Sequence, residues 1–119
     1  MKIWDTCGQE RYKSLARTFL KDADGILFVY DISNKQSFEH IKDWIRESEE
    51  SNSEFQKIVL GNKIDLPEKS REVSKEKLIK YINEKKYKGL EVSAKTGENV
   101  ENAFSMLTQL LVGNMSRKF

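Results

Sequence analysis

The sequence predicts an α/β domain: a mostly parallel sheet with flanking helices. Three observations point there. Short runs rich in β-branched and aromatic residues stand at Gly25–Ile32, Ile58–Leu60 and Leu90–Val92, and runs of this length read as strands. Apolar residues at helical spacing fill the stretches between and after them. Polar loops follow the strands, at the end of an open α/β sheet where ligands bind. Strands that alternate with helices of this length form right-handed βαβ units.

Taken in order, Met1 to Asp5 reads as a short strand ending in Asp5, with no leader before it. Thr6 to Asp24 is polar and irregular, a loop passing into a short helix that carries Leu15, Phe19 and Leu20. In Gly25–Ile32 five successive apolar or aromatic residues imply a central strand covered on both faces. Ser33 or Asn34 can cap the next helix, and Ser33 with Gln36 fits a capping box. Phe38, Ile41, Trp44 and Ile45 carry that helix to about Ser48, and His40 on it reads as a surface histidine. After the strand at Ile58, Pro67 stops regular structure. Ser74 can cap a helix running to about Lys86, with Leu78, Ile79 and Ile82 as its buried stripe. Gly89 opens the strand Leu90–Val92. Asn99 can cap a last helix with Val100, Ala103, Phe104, Leu107, Leu110 and Leu111 on one face, and Gly113 is placed to end it.

Composition narrows the function. A chain of 119 residues is one domain by length, yet small for a complete nucleotide-binding α/β domain. With 34% charged residues and a net charge of only +2, spread rather than clustered, nucleic acid is disfavoured as a partner. Cys7 is the only cysteine, so no internal disulfide can form. No run approaches the length of a membrane span. The expectation is a cytoplasmic protein.

The stretch Ile58-Val-Leu-Gly-Asn-Lys-Ile-Asp-Leu66 carries the most chemistry. Asn62, Lys63 and Asp65 lie just past the strand, where a ligand would be. A carboxylate such as Asp65 can accept two hydrogen bonds from a planar donor pair. Guanine offers that pair in its ring N–H and exocyclic amine; adenine has no ring donor to match. A site built around the carboxylate rejects the wrong base, because an unpaired buried acceptor costs about 1–3 kcal/mol. The Lys63 stem can lie along the base, and Asn62 can tie neighbouring loops together. Taken alone, residues 62–65 also fit an ordinary polar turn.

Three loops read together go further. Trp4-Asp-Thr-Cys-Gly-Gln-Glu-Arg-Tyr12, Gly61-Asn-Lys-Ile-Asp-Leu66 and Glu91-Val-Ser-Ala-Lys-Thr-Gly97 resemble, in order and spacing, the switch II entry, guanine motif and last base-binding loop of the Ras-like small GTPases. Trp4 and Arg11 favour the Rab type within them; Phe19-Leu20 stands where that type usually has two tyrosines. The resemblance covers residues 1–119 as a partial small GTPase domain, from switch II to the last helix, in a P-loop NTPase-like fold. It implies GTP or GDP with Mg²⁺ as cofactors and slow GTP hydrolysis as a switch in vesicle traffic. It implies effectors and regulators engaging residues about 8–20. Asp5 would hold Mg²⁺ through a water, the Gly8 N–H would meet the γ-phosphate, and Gln9 would orient the attacking water. The Ala94 N–H would meet the guanine carbonyl, Ser93 and Lys95 would brace the loop and base, and Asn62, Lys63 and Asp65 would read the base. Cys7 stands where the family usually has alanine, a packing substitution.

Two features of the family pattern are not in this sequence. No G-x-x-x-x-G-K-[ST] occurs, and with that phosphate-binding loop the switch I threonine and the first two strands and first helix are missing. Without the first strand, a gap and a bared apolar face are expected between the strand ending at Asp5 and Gly25–Ile32. The end, Met115-Ser-Arg-Lys-Phe119, has no cysteine for a prenyl anchor, so no membrane anchor is expected here, although Rab-type proteins associate with vesicle membranes. Base contacts alone imply weak nucleotide binding and negligible hydrolysis by these residues. Two readings compete with a switch incomplete at both ends. One is a non-catalytic interaction module derived from a small GTPase; the other is an unrelated α/β domain with chance motifs.

Overall fold

The computed structural model describes the backbone of residues 23–51 and 54–118 and the side chains of 23–50 and 54–113. Within these residues three strands, β1 (Gly25–Asp31), β2 (Gln56–Asn62) and β3 (Lys88–Glu91), form one sheet in the order β1-β2-β3. Both pairings are parallel: Asp31 lies opposite Asn62, and Gly61 opposite Glu91. Helices α1 (Lys35–Ser51) and α2 (Lys75–Lys85) make the two crossovers, and α3 (Val100–Lys118) closes the chain. The expected strand at Met1–Asp5 and the loop and helix of Thr6–Asp24 lie outside the described residues, apart from Ala23 and Asp24.

The alternation of side chains along the strands sorts the core into two faces. Phe28 and Tyr30 of β1 and Val59 of β2 pack with Phe38, Ile41 and Ile45 of α1 and Leu78 of α2. Ile58 and Leu60 of β2 turn the other way, onto Ala103 and Leu107 of α3. Two crossovers of one hand over strands laid down in one direction put α1 and α2 on the same face, leaving the other to α3. Val29, on the α3 side of β1, is 49% exposed.

Element ends differ from the sequence expectation in ways that have local causes. Ser33 does not cap α1: its hydroxyl and N–H both donate to Asp31 Oδ1, at 2.6 and 2.8 Å. Asn34 takes the cap instead, its Oδ1 accepting the Ser37 N–H at 3.2 Å. The helix then runs to Ser51, three residues beyond the expected Ser48. Ser74 caps α2 as expected, accepting the Lys77 N–H, and Lys86 closes that helix in the left-handed conformation. The third strand begins at Lys88 and ends at Glu91, although the Val92 N–H still bonds Gly61 O at 2.8 Å.

The last helix departs most. Asn99 sits at φ 63° and its side-chain amide reaches back to the Glu91 carbonyl at 2.9 Å rather than capping the backbone. Gly113 does not stop α3, which continues to Lys118. A glycine costs a helix only about 1 kcal/mol, which the further turn of helix after it can offset.

Candidate functional site

The parallel register gathers the polar loops at one edge of the sheet, because all three strands end there. Asn62 ends β2 with its main chain in the ladder, and the chain then turns sharply through Lys63 at φ 78°. A lysine in that left-handed region is strained by its Cβ. The turn is held by the Ile64 N–H on Val92 O at 3.2 Å and the Leu66 N–H on Lys63 O at 3.1 Å. The first of these bonds ties this loop to the one that follows β3.

Side chains complete that tie. Asn62 Oδ1 accepts the Ala94 N–H at 2.9 Å, and Asp65 Oδ1 accepts the Ser93 hydroxyl at 2.7 Å. Ser93 is fully buried and its oxygen also accepts the Thr96 N–H at 3.1 Å, so the hydroxyl links the two loops as donor and acceptor at once. Asp65, Ala94 and Lys95 are exposed at the rim. Ser93 occupies one lone-pair site on Asp65; a carboxylate has about four, which leaves acceptor capacity for two more donors.

Five of the six expected base-site residues, Asn62, Lys63, Asp65, Ser93 and Ala94, are joined by these bonds and by chain adjacency; Lys95 stands beside them on the turn. The Ala94 N–H, expected to face a ligand carbonyl, is engaged by Asn62. Asp5, Gly8, Gln9 and Cys7 lie outside the described residues. Among the described residues no group of three or more His, Cys, Asp or Glu side chains is arranged to hold a metal ion, and His40 is exposed on α1.

One partner escaped the sequence reading. Asp31, at the end of β1, forms an ion pair from Oδ2 to Lys63 Nζ at 2.9 Å. Burial opposes its charge, but the Ser33 hydroxyl and the Lys63 ammonium outweigh that and hold its carboxyl below the ordinary range. The hydrogen bond to Asp31 in turn raises the Lys63 ammonium. The sequence shows a lone carboxylate near the end of an apolar run, and the parallel register is what puts it beside Lys63.

A buried pair braces the site from beneath. Arg71 donates to Glu91 through both terminal nitrogens, at 2.6 and 3.3 Å, and to Val73 O at 3.1 Å. It pins the segment after Asp65 to the end of β3. Beside it the Tyr30 hydroxyl is buried with no hydrogen-bond partner among the described residues. Burial, and then the charge of Glu91, push that phenol well above its ordinary range.

The polar loops after β2 and β3, laced together through Asn62, Asp65 and Ser93, stand beyond the carboxyl ends of parallel strands, where open α/β sheets bind ligands. Residues 1–112 match the sequence model of the Ras family. The chain is 44% identical over 119 residues to "Ras-related protein Rab-8B" of Homo sapiens, covering 99% of this chain and 57% of that protein. It is 43% identical to "Ras-related protein Rab-8A" of Mus musculus, with the same coverage. It is 44% identical to "Ras-related protein Rab-8" of Diplobatis ommata, covering 99% of this chain and 56% of that protein. The chain therefore belongs to the Ras family of small GTPases, and within it to the Rab type. It spans little more than half the length of these curated relatives, 57% of the human one. Members of this family in general bind GTP or GDP with Mg²⁺ and act through effectors and regulators.

Proposed function

We propose that these residues form the base-recognition half of a Rab-type guanine-nucleotide switch, with 1–119 a partial small GTPase domain. The observation that carries this is the Ser93–Asp65 hydrogen bond of 2.7 Å. It fixes a carboxylate whose remaining lone pairs suit the ring N–H and amine of guanine. The donor set fits a guanine base: Asp65 accepts, Lys63 supplies a flank, and the guanine carbonyl would share the Ala94 N–H with Asn62 in a three-centre bond. Lys95 and Ser93 brace the loop.

The chemistry of hydrolysis belongs to groups outside the described residues. In this proposal Asp5 takes Mg²⁺ through a water, the Gly8 N–H meets the γ-phosphate and Gln9 orients water. Mg²⁺ when bound supplies charge neutralisation on the phosphates. With no G-x-x-x-x-G-K-[ST] in the sequence, the 119 residues alone bind guanine nucleotide weakly and hydrolyse it negligibly. The parent switch works in vesicle traffic, meeting effectors and regulators through residues about 8–20. No helix among the described residues is long and apolar enough to cross a membrane.

The test is an NMR titration of the 119-residue chain with GDP and with ADP. Shifts at Asn62, Asp65 and Ala94 that saturate at lower GDP than ADP concentration support the proposal. Equal response to both, or none at these residues, refutes it.

A further inference from the structure

We infer that Asp31 is a positioning residue for the base site, holding the Lys63 side chain in place before a base arrives. This rests on the base-recognition reading above.

The register brings the two residues together: Asp31 lies opposite Asn62, so the next residue of β2's exit, Lys63, passes the end of β1. The positive φ of Lys63 makes the turn there, and the bonds to Val92 and Leu66 keep it from relaxing. The Asp31 carboxylate is itself immobilised, since Oδ1 takes both the N–H and the hydroxyl of Ser33 and the Asp31 N–H donates to Ser37 Oγ at 2.9 Å. Oδ2 is left to the lysine, at 2.9 Å. One oxygen anchors the carboxylate and the other anchors the ammonium.

The exposures show why this matters to a ligand rather than to folding. The Asp31 side chain is 25% exposed and that of Lys63 52%. An ion pair that open contributes little to stability, yet it removes rotamer freedom from a four-carbon stem. A free lysine loses that freedom when a flat ring settles on it, and the loss weakens binding. A lysine tethered at its tip has already lost it, while half of its surface stays open to the ring. The pair preorganises the flank of the base site.

The variant Asp31→Asn separates these roles, because the amide oxygen can still accept from Ser33 while the charge that holds Lys63 is gone. Two readouts on the 119-residue chain suffice. The first is the rate of Lys63 acylation with nothing bound, followed by peptide mapping; it should rise in Asp31→Asn while exposed Lys75 and Lys77 react as before. The second is affinity for GDP and ADP by NMR titration; Asp31→Asn should weaken GDP about threefold, the scale of an exposed pair, and leave ADP unchanged. Unaltered Lys63 reactivity overturns the inference, as does unaltered GDP affinity in a chain that still prefers GDP to ADP. A wild-type chain with no such preference instead overturns the base-recognition reading, and the inference with it.

Discussion

At the scale of single residues, the region beneath the site is tight and incompletely satisfied. A Cβ at Gly61 would stand 2.6 Å from the Tyr30 hydroxyl and 2.8 Å from its ring carbon. Gly61 is thus required by the phenol that lies over it, not by its backbone angle. Gly61→Ala should destabilise the fold by about 1–3 kcal/mol through overpacking, read as a lowered urea midpoint at unchanged slope. The Tyr30 hydroxyl has no partner among the described residues, and burying an unsatisfied donor costs about 1–3 kcal/mol. Tyr30→Phe should therefore leave the urea midpoint unchanged or raise it; a clear fall would reveal a partner for that hydroxyl. Asp31 makes a pH prediction. Its folded pKa is lowered below 3.8, so the folded state binds that proton less readily than the unfolded chain does. The stabilisation is whole above 3.8 and is lost as pH falls through the lower folded value. Asp31→Asn should flatten stability against pH in that acid window and leave the slope near neutrality unaltered.

At the scale of elements, the strands and helices of the described residues were legible because each follows an apolar run or stripe. Gly25–Asp31 and Gln56–Asn62 lie within a residue or two of the apolar runs, and Ser74 caps α2 where a serine before a helical stripe says it should. Ends set by competing polar contacts were not legible. Ser33 looks like a cap in sequence, but Asp31 two residues earlier captures both of its donors. Asn99 looks like a cap too, yet its amide is used by the Glu91 carbonyl. Such choices depend on where the previous strand ends, which no local pattern records. The Arg71–Glu91 pair was equally hidden, as its partners are 20 residues apart. Its side chains are 15% and 10% exposed, so removing one partner strands a buried charge. Glu91→Ala should cost about 3 kcal/mol, and adding Arg71→Met should recover part of that loss. A double-mutant cycle by urea unfolding measures the coupling; additive losses would mean that the two side chains do not act as a pair.

At the scale of the whole molecule, the described residues form three parallel strands with two helices on one face and one on the other, and each of these strands delivers its polar loop to the same edge. The meeting of the two polar loops was legible there, because Asn62, Lys63 and Asp65 follow one strand and Ser93 to Lys95 follow the next in a parallel sheet. Asp31 was not, since only the parallel register shows which carboxylate faces Lys63. Among the described residues β1 is an edge strand, and its Val29 is half exposed.

The central claim is that Asp65 reads guanine by accepting from its two adjacent donors. Replacing that carboxylate by an amide exchanges one acceptor for a donor, which suits xanthine, whose 2-position bears a carbonyl instead of an amine. The decisive measurement is equilibrium binding of GDP and xanthosine diphosphate to the wild-type chain and to Asp65→Asn. The wild type should prefer GDP and the variant xanthosine diphosphate. If both chains bind the two nucleotides equally, Asp65 does not read the base.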